Sequence, residues 1–264
     1  MPRVRLDSLL AQRGLFASRA RAAASVMAGE VMVVTGPERR RAAKPGQLVP
    51  GDAELVLASA PAYVSRGGIK LANALASLDF DVSARRALDV GASTGGFTDC
   101  LLQRDAAHVI AVDVAYGALD WNLRGDPRVT IMERCNARSL RSNGLAYLPD
   151  LIVIDVSFIS LTKVLPAVLA CASPRFDCLA LVKPQFEVGR ANVGKGGVIR
   201  EPELRRGALV DVGRSGRRLG ASVLGYASSG LPGPKGNLET FVWLAEGGRG
   251  GVDDLDRAAR EVEP

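Results

Sequence analysis

The stretch Leu88-Asp89-Val90-Gly91-Ala92-Ser93-Thr94-Gly95-Gly96-Phe97 reads as a strand, a glycine turn and the start of a helix. In open α/β sheets ligands are held at the carboxyl ends of strands, so this turn marks an expected mouth. Working outward, strand patterns recur at 87–90, 108–114, 129–133, 151–156, 178–184, 221–229 and 240–245, with helical patterns between most of them. Runs such as Leu151-Ile152-Val153-Ile154 lack polar alternation, which suits parallel strands covered on both faces. The last two strands are joined only by the Gly/Pro-rich loop 230–236 and form a terminal antiparallel hairpin. The body is therefore expected to be α/β, with a seven-stranded, mostly parallel sheet whose last strand is antiparallel.

The chain has 264 residues, 47% hydrophobic and 23% charged, which excludes wholesale disorder and allows a large core. Residues 1–45 hold nine Lys/Arg and three Asp/Glu, which already accounts for the net charge of +6. A basic head thus precedes a charge-balanced body, and a basic end suits a polyanion such as nucleic acid. In the head, Leu6, Leu9, Leu10 and Leu15, then Ala20, Ala23, Ala24 and Met27, give two short helical patterns separated by Gly14. Ser18 is placed to cap the second. Residues 29–36 and 55–57 read as strands, giving a small α+β module over 1–60. Ser59-Ala60-Pro61 marks its end, 61–64 a linker, 65–246 the body and 247–264 a tail that reads as one exposed helix.

Several classes are excluded at this level. The uncharged stretch Gly220–Pro234 is 15 residues and broken by Gly and Pro, while a spanning helix needs roughly 20 apolar residues. The N-terminus has no apolar core of a secretory signal. Cys100, Cys135, Cys171 and Cys178 form no CxxC pair and the chain has one histidine, so no metal site is expected. The cysteines read as small buried hydrophobes in a reducing cytoplasm.

The glycine turn departs from the dinucleotide fingerprint, because Ser93 stands where a middle glycine would let backbone approach a pyrophosphate. A nucleoside-like ligand without phosphates fits better. Asp113 ends the next strand, 22 residues after Gly91, where an acid can bind two ribose hydroxyls. S-adenosylmethionine fits this pair, with its carboxylate near the amides of the helix start. The expected cofactor residues are Gly91, Ala92, Ser93, Gly95, Gly96, Phe97, Asp113, Val114, Asn136 and Asp155. Asn136 either meets the adenine edge or caps the next turn.

Three ionisable residues stand at strand ends in apolar settings: Asp155, Lys183 and Glu239. Charged groups so near a core need partners. Lys70 opens the body in Ser65-Arg66-Gly67-Gly68-Ile69-Lys70-Leu71 and is a fourth member. The alternative is a structural ion-pair cluster.

The order Lys70, Asp155, Lys183, Glu239 resembles the Lys-Asp-Lys-Glu tetrad of ribose 2′-O-methyltransferases related to FtsJ. In the head, Arg5-Leu6-Asp7, Gly14-Leu15, Ser18-Arg19 and the 29–36 strand resemble an S4 RNA-binding domain. Together they resemble the TlyA family over nearly the whole chain. The most specific stretches are Val64-Ser65-Arg66-Gly67, residues 89–97, residues 155–161 and residues 182–189. The joining segment departs from relatives that carry Arg and Trp at the places of Pro61 and Tyr63.

The resemblance implies a Rossmann-like, class I S-adenosylmethionine-dependent methyltransferase body. It implies methylation of cytidine riboses in 16S or 23S rRNA of the 30S and 50S subunits, and a link to ribosome-binding antibiotics. In this reading Lys183 is the base, Asp155 holds it, and Lys70 and Glu239 orient the ribose. Arg3, Arg5, Arg13, Ser18, Arg19, Arg21 and Arg66 are the expected RNA contacts, with arginine forks on phosphates. Phe16 is the only aromatic residue before Tyr63, so backbone and shape recognition outweigh base stacking in the head. Gly194-Lys195-Gly196-Gly197 reads as a mobile loop over the substrate. One head per body makes a monomer the expectation. Two rival readings are a membrane-damaging haemolysin, since the family also carries that label, and an RNA-binding module with an inactive body.

Overall fold

A computed structural model of the chain describes residues 3–16, 18–27, 29–35, 38–57, 62–194 and 196–263. The expected boundary Ser59-Ala60-Pro61, Gly36 and Lys195 lie outside the described residues. The chain divides into two compact units, Met1–Ala62 and Tyr63–Pro264.

The first unit runs β1 (Arg3–Arg5), α1 (Leu6–Gln12), α2 (Arg19–Met27), β2 (Val31–Thr35), β3 (Glu38–Arg41), β4 (Leu48–Pro50) and β5 (Glu54–Leu57). Strand β1 pairs antiparallel with β4, and β2 is flanked antiparallel by β3 and β5. Leu6, Leu9 and Leu10 of α1 pack with Ala22, Val26 and Val31 as its core. Two details differ from expectation. The inner face of α2 is Ala22 and Val26, while Met27 is exposed. The arginine run 39–41 is a fully exposed strand, held by its backbone pairing with β2 rather than by any buried side chain.

The second unit runs α3 (Arg66–Ser77), β6 (Arg86–Val90), α4 (Gly96–Leu102), β7 (His108–Val112), α5 (Trp121–Arg124), β8 (Val129–Met132), β9 (Leu151–Ile154), α6 (Leu165–Leu169), β10 (Asp177–Val182), α7 (Pro184–Glu187), α8 (Pro202–Arg218), β11 (Ser222–Ser228), β12 (Thr240–Ala245) and α9 (Leu255–Val262). The seven strands lie in the order β11-β12-β10-β9-β6-β7-β8. Only β12 is antiparallel to its neighbours. Alternating residues feed two cores. Leu88, Val90, Ile152 and Ile154 enter one, and Ala87, Leu151 and Val153 the other. That two-sided burial is why β9 and residues 178–182 of β10 read as unbroken apolar runs.

Most expected strands run one or two residues too far. Strand β7 stops at Val112 and β9 at Ile154, so Asp113 and Asp155 stand just past their strands. The tail forms α9, but it is not an exposed helix, because Leu255 and Ala259 are buried with α8 residues in one core.

Candidate active site

Strand register brings the functional side chains to one sheet edge. Val90 pairs with both Val112 and Ile154, so Gly91, Asp113 and Asp155 leave their strands side by side. Val182 pairs with Thr240 of the antiparallel β12, so Lys183 leaves β10 where Glu239 enters β12. Lys70 comes from α3, whose start is capped by the Ser65 hydroxyl accepting from the Gly67 amide at 3.3 Å.

Helix α3 can sit there only because Gly68 and Gly96 meet. A Cβ on Gly96 would lie 2.1 Å from Ser65 Oγ and 2.9 Å from Gly68 N, and one on Gly68 would lie 2.4 Å from the Tyr63 side chain. Gly91, at φ +86°, takes the left-handed conformation, and a Cβ there would lie 2.4 Å from the Asp155 carbonyl oxygen. The glycines thus set the distances between α3, the turn and Asp155.

Lys70 pairs with Glu239, and Lys183 with Asp155. Lys70, Lys183 and Glu239 are 6%, 9% and 3% exposed, so each charge depends on its partner rather than on water. Lys183 Nζ also donates to Ser157 Oγ at 3.0 Å. All four charged residues line one cavity of about 780 Å³, together with Arg66 and Phe158.

A second cavity of about 830 Å³ adjoins it and is lined by Asp113, Val114 and Asn136. Gly91, Ser93, Asp155, Ser157 and Phe158 line both. Asp113 Oδ2 accepts from the Ser93 amide and Oδ1 from the Ala115 amide, each at 2.7 Å. Asn136 Oδ1 accepts from the Arg138 amide at 3.1 Å and caps the 3-10 turn 137–139, the second of its two expected roles. Ala92, Gly96 and Phe97 line the first cavity rather than the second. Gly95 lines neither; it is the N-cap of α4, at φ +95°.

Asp89 lies beneath this edge, fully buried. Its Oδ2 accepts from Thr98 N and Oγ1, and its Oδ1 has no partner among the described residues. Burial pushes its carboxyl up to about 7, the Thr98 hydrogen bonds oppose this, and the Asp155 charge adds to it. The folded state therefore favours the protonated form. The stability this contributes is complete below the ordinary Asp value of about 4 and is lost as pH rises through 7. Asp89→Asn keeps an acceptor for Thr98 and removes the titration. Its urea stability should gain on wild type by about 1 kcal/mol per pH unit between pH 5 and 7. Parallel pH profiles of the two proteins would refute this.

In the first unit, Ser18 Oγ accepts from the Arg21 amide at 3.2 Å, the expected cap. Arg3 and Arg5 lie on β1. Arg5 and Arg19 both bind Asp7, at 2.7 and 3.2 Å, and the Arg5 hydrogen bonds hold that carboxyl well below the usual range. Arg13 donates to the carbonyls of Ala53 and Gly51, so its fork braces the fold. Arg66, in the second unit, donates to the Pro232 carbonyl at 2.7 Å.

Ser157, Phe158, Gln185, Phe186 and Asn237 also line the first cavity. Sequence reasoning assigned them no role, although all but Asn237 fall in the specific stretches 155–161 and 182–189. Phe158 carried the clearest structural signal: it is 92% exposed, at φ +65°, with its ring centroid 5.3 Å from that of Phe186.

Residues 63–246 match the model of the FtsJ-like methyltransferase family. The 16S/23S rRNA (cytidine-2′-O)-methyltransferase TlyA of Mycobacterium tuberculosis is 49% identical over 244 residues, 92% of this chain and 90% of that protein. This chain belongs to the TlyA family of FtsJ-like methyltransferases. Hemolysin A of Brachyspira hyodysenteriae, 36% identical over 89% of this chain and 97% of its own length, is another relative. A Streptococcus thermophilus protein whose solved structure bears a hemolysin name superposes with a TM-score of 0.74. It is 39% identical and covers 99% of this chain and 96% of its own. The TlyA-family glycine turn, Asp113 and the four charged residues all fall within the matched body. Among the described residues no helix of this TlyA-family chain is long and apolar enough to cross a membrane, and no cluster of three His, Cys, Asp or Glu is arranged for a metal.

Proposed function

We propose that this chain transfers the methyl group of S-adenosylmethionine to the 2′-hydroxyl of a cytidine in ribosomal RNA, using Lys70, Asp155, Lys183 and Glu239. The observation that carries the reading is the pair of adjoining cavities. One holds the four charged residues, the other Asp113, and Asp155 lines both. A methyl donor in the second and a ribose in the first meet at Asp155.

The second cavity suits the donor. Each Asp113 oxygen already accepts one amide, and a carboxylate oxygen has a further lone pair for a ribose hydroxyl. When bound, the donor supplies a methyl already made electrophilic by its sulfonium. The protein must then align the acceptor oxygen and remove its proton. Lys183 acts as the neutral amine: its ammonium first gives one proton to solvent, and Nζ, placed between Asp155 and Ser157, then takes the hydroxyl proton as the bond forms. The Lys70–Glu239 pair orients the ribose. Phe158 and Phe186 offer the target base an aromatic face, and such stacking contributes about 1–3 kcal/mol per base. The basic first unit serves as an S4-like RNA-binding domain, with Arg3, Arg5, Arg19 and Arg21 on phosphates, Arg66 beside the ribose site, and monomers acting on ribosomal subunits in the cytoplasm.

The name of the Brachyspira relative raises a membrane-active reading. The strongly one-sided helix α9 turns Leu255 and Ala259 into the core with α8 rather than outward toward a lipid surface. The test is label transfer from tritiated S-adenosylmethionine to separated 30S and 50S subunits that lack the modification. Label recovered as 2′-O-methylcytidine from at least one subunit is expected. No label in either, with donor binding intact, would overturn the proposal.

A further inference from the structure

Two loops shape the target side of the site. Residues 193–200 contribute Val193 and Gly197 to the cavity of the four charges, and residues 229–238 contribute Gly233 and Lys235. In the first of these the stretch 194–197 was expected to be mobile, and Gly197, Ile199 and Arg200 are held by hydrogen bonds with two side chains. Asn237, 2% exposed, donates from Nδ2 to the Gly197 carbonyl and accepts at Oδ1 from the Ile199 amide, both at 2.8 Å. Its own carbonyl accepts from the Gly233 amide at 2.8 Å.

The second tie comes from the end of α9. Glu263 and Arg205 of α8 form an ion pair at 2.6 Å, with 7% and 11% of their side chains exposed. Nη1 of the same guanidinium donates to the carbonyls of Arg200 and Ile199, at 2.6 and 3.3 Å. Arg206 Nε donates to the Glu263 carbonyl at 2.9 Å and fixes the backbone there. Arg205 and Glu263 also line a cavity of about 350 Å³ with Ser229, Leu231, Pro232 and Glu239. A single buried pair thus reaches the first loop by hydrogen bonds and faces the second.

We propose that Arg205 and Glu263 are positioning residues for methyl transfer: their buried pair holds both loops in the shape that seats the ribose, so that the C-terminal helix acts on catalysis without touching the reacting atoms. This rests on the reading above that the cavity receives the target nucleotide. Arg205 must stay in place because its fork satisfies the carboxylate and two carbonyls at once, a geometry that lysine lacks. The donor cavity is lined by neither loop, so an effect through this clamp separates ribose seating from donor binding.

The test uses Glu263→Gln and, in case that variant folds poorly, Arg205→Lys, in the full chain. Three measurements are made: amide hydrogen exchange, donor affinity by calorimetry, and steady-state transfer to ribosomal subunits. Exchange at the Ile199 and Gly233 amides should quicken about tenfold, with no change in β6 and β7. Donor affinity should stay within about twofold, while transfer falls about tenfold or more and KM for the subunit rises. Unchanged exchange in both loops overturns the clamp. Faster exchange with normal transfer overturns the positioning role. Loss of transfer, donor affinity and melting temperature together shows a general stabilising role and also overturns it. If wild type transfers nothing, the reaction itself is misread, and the exchange data still decide whether the clamp exists.

Discussion

Lys183→Ala is expected to lower methyl transfer by about a thousandfold while changing donor affinity less than about threefold. Positioned proton transfer contributes about 10²–10⁴ in rate, and in the proposed reaction it falls to Lys183 Nζ, which lies between Asp155 and Ser157. The cavity lined by Asp113, proposed for the donor, is not lined by Lys183, so removing the amine leaves its walls in place. Asp155 loses its cationic partner, but its side chain is 24% exposed and water can solvate it. Lys183→Arg restores the positive charge and should restore the pairing, yet its fork is never a base, so transfer stays low. Transfer in either variant within tenfold of wild type would remove Lys183 from the chemistry. Steady-state transfer beside calorimetric donor binding makes the distinction.

The Lys70–Glu239 pair allows a sharper separation of stability from catalysis. Glu239→Ala should destabilise the fold by about 3–5 kcal/mol, because it leaves the Lys70 ammonium, 6% exposed, without its partner. Transfer should be lost as well, which alone would not distinguish a structural pair from a catalytic one. The double variant Lys70→Met/Glu239→Leu fills similar volumes with apolar groups, and such replacements are often neutral or stabilising. Its urea midpoint should return to near wild type while transfer stays about a hundredfold down or more. A double variant that is stable and active would make the pair structural, the alternative that its burial also permits.

The four charges were legible in the sequence because each interrupts an apolar run at a strand end or opens the body beside a glycine pair. Asp113 was legible for the same reason. The glycine turn was legible because Gly91 needs a left-handed backbone against the Asp155 carbonyl. The arginine strand 39–41 was not, since its stability comes from backbone pairing with β2 and its side chains carry no pattern. Nor were the roles of Arg13 and Arg205. Both look like surface charges in sequence, and both turn their forks onto backbone carbonyls of distant segments. Ser157, Phe158 and Asn237 gave no periodic signal, because their places follow from loops rather than from elements with a repeat.

From its sequence alone this protein is determined to be a basic head on an α/β body, with a glycine turn, a following acid and four charged residues at apolar boundaries. Local hydrophobic pattern and turn chemistry carry that information, and both are properties of neighbouring residues. Tertiary structure decided which charges become partners. Strand β12 inserts between β11 and β10, and its antiparallel run sets Glu239 beside the end of β10, with α3 bringing Lys70 onto it. The same topology lays α9 against α8 and carries Glu263 to Arg205. These pairings join residues 169 and 58 positions apart, and such long-range closure depends on the packing of the whole sheet and its helices.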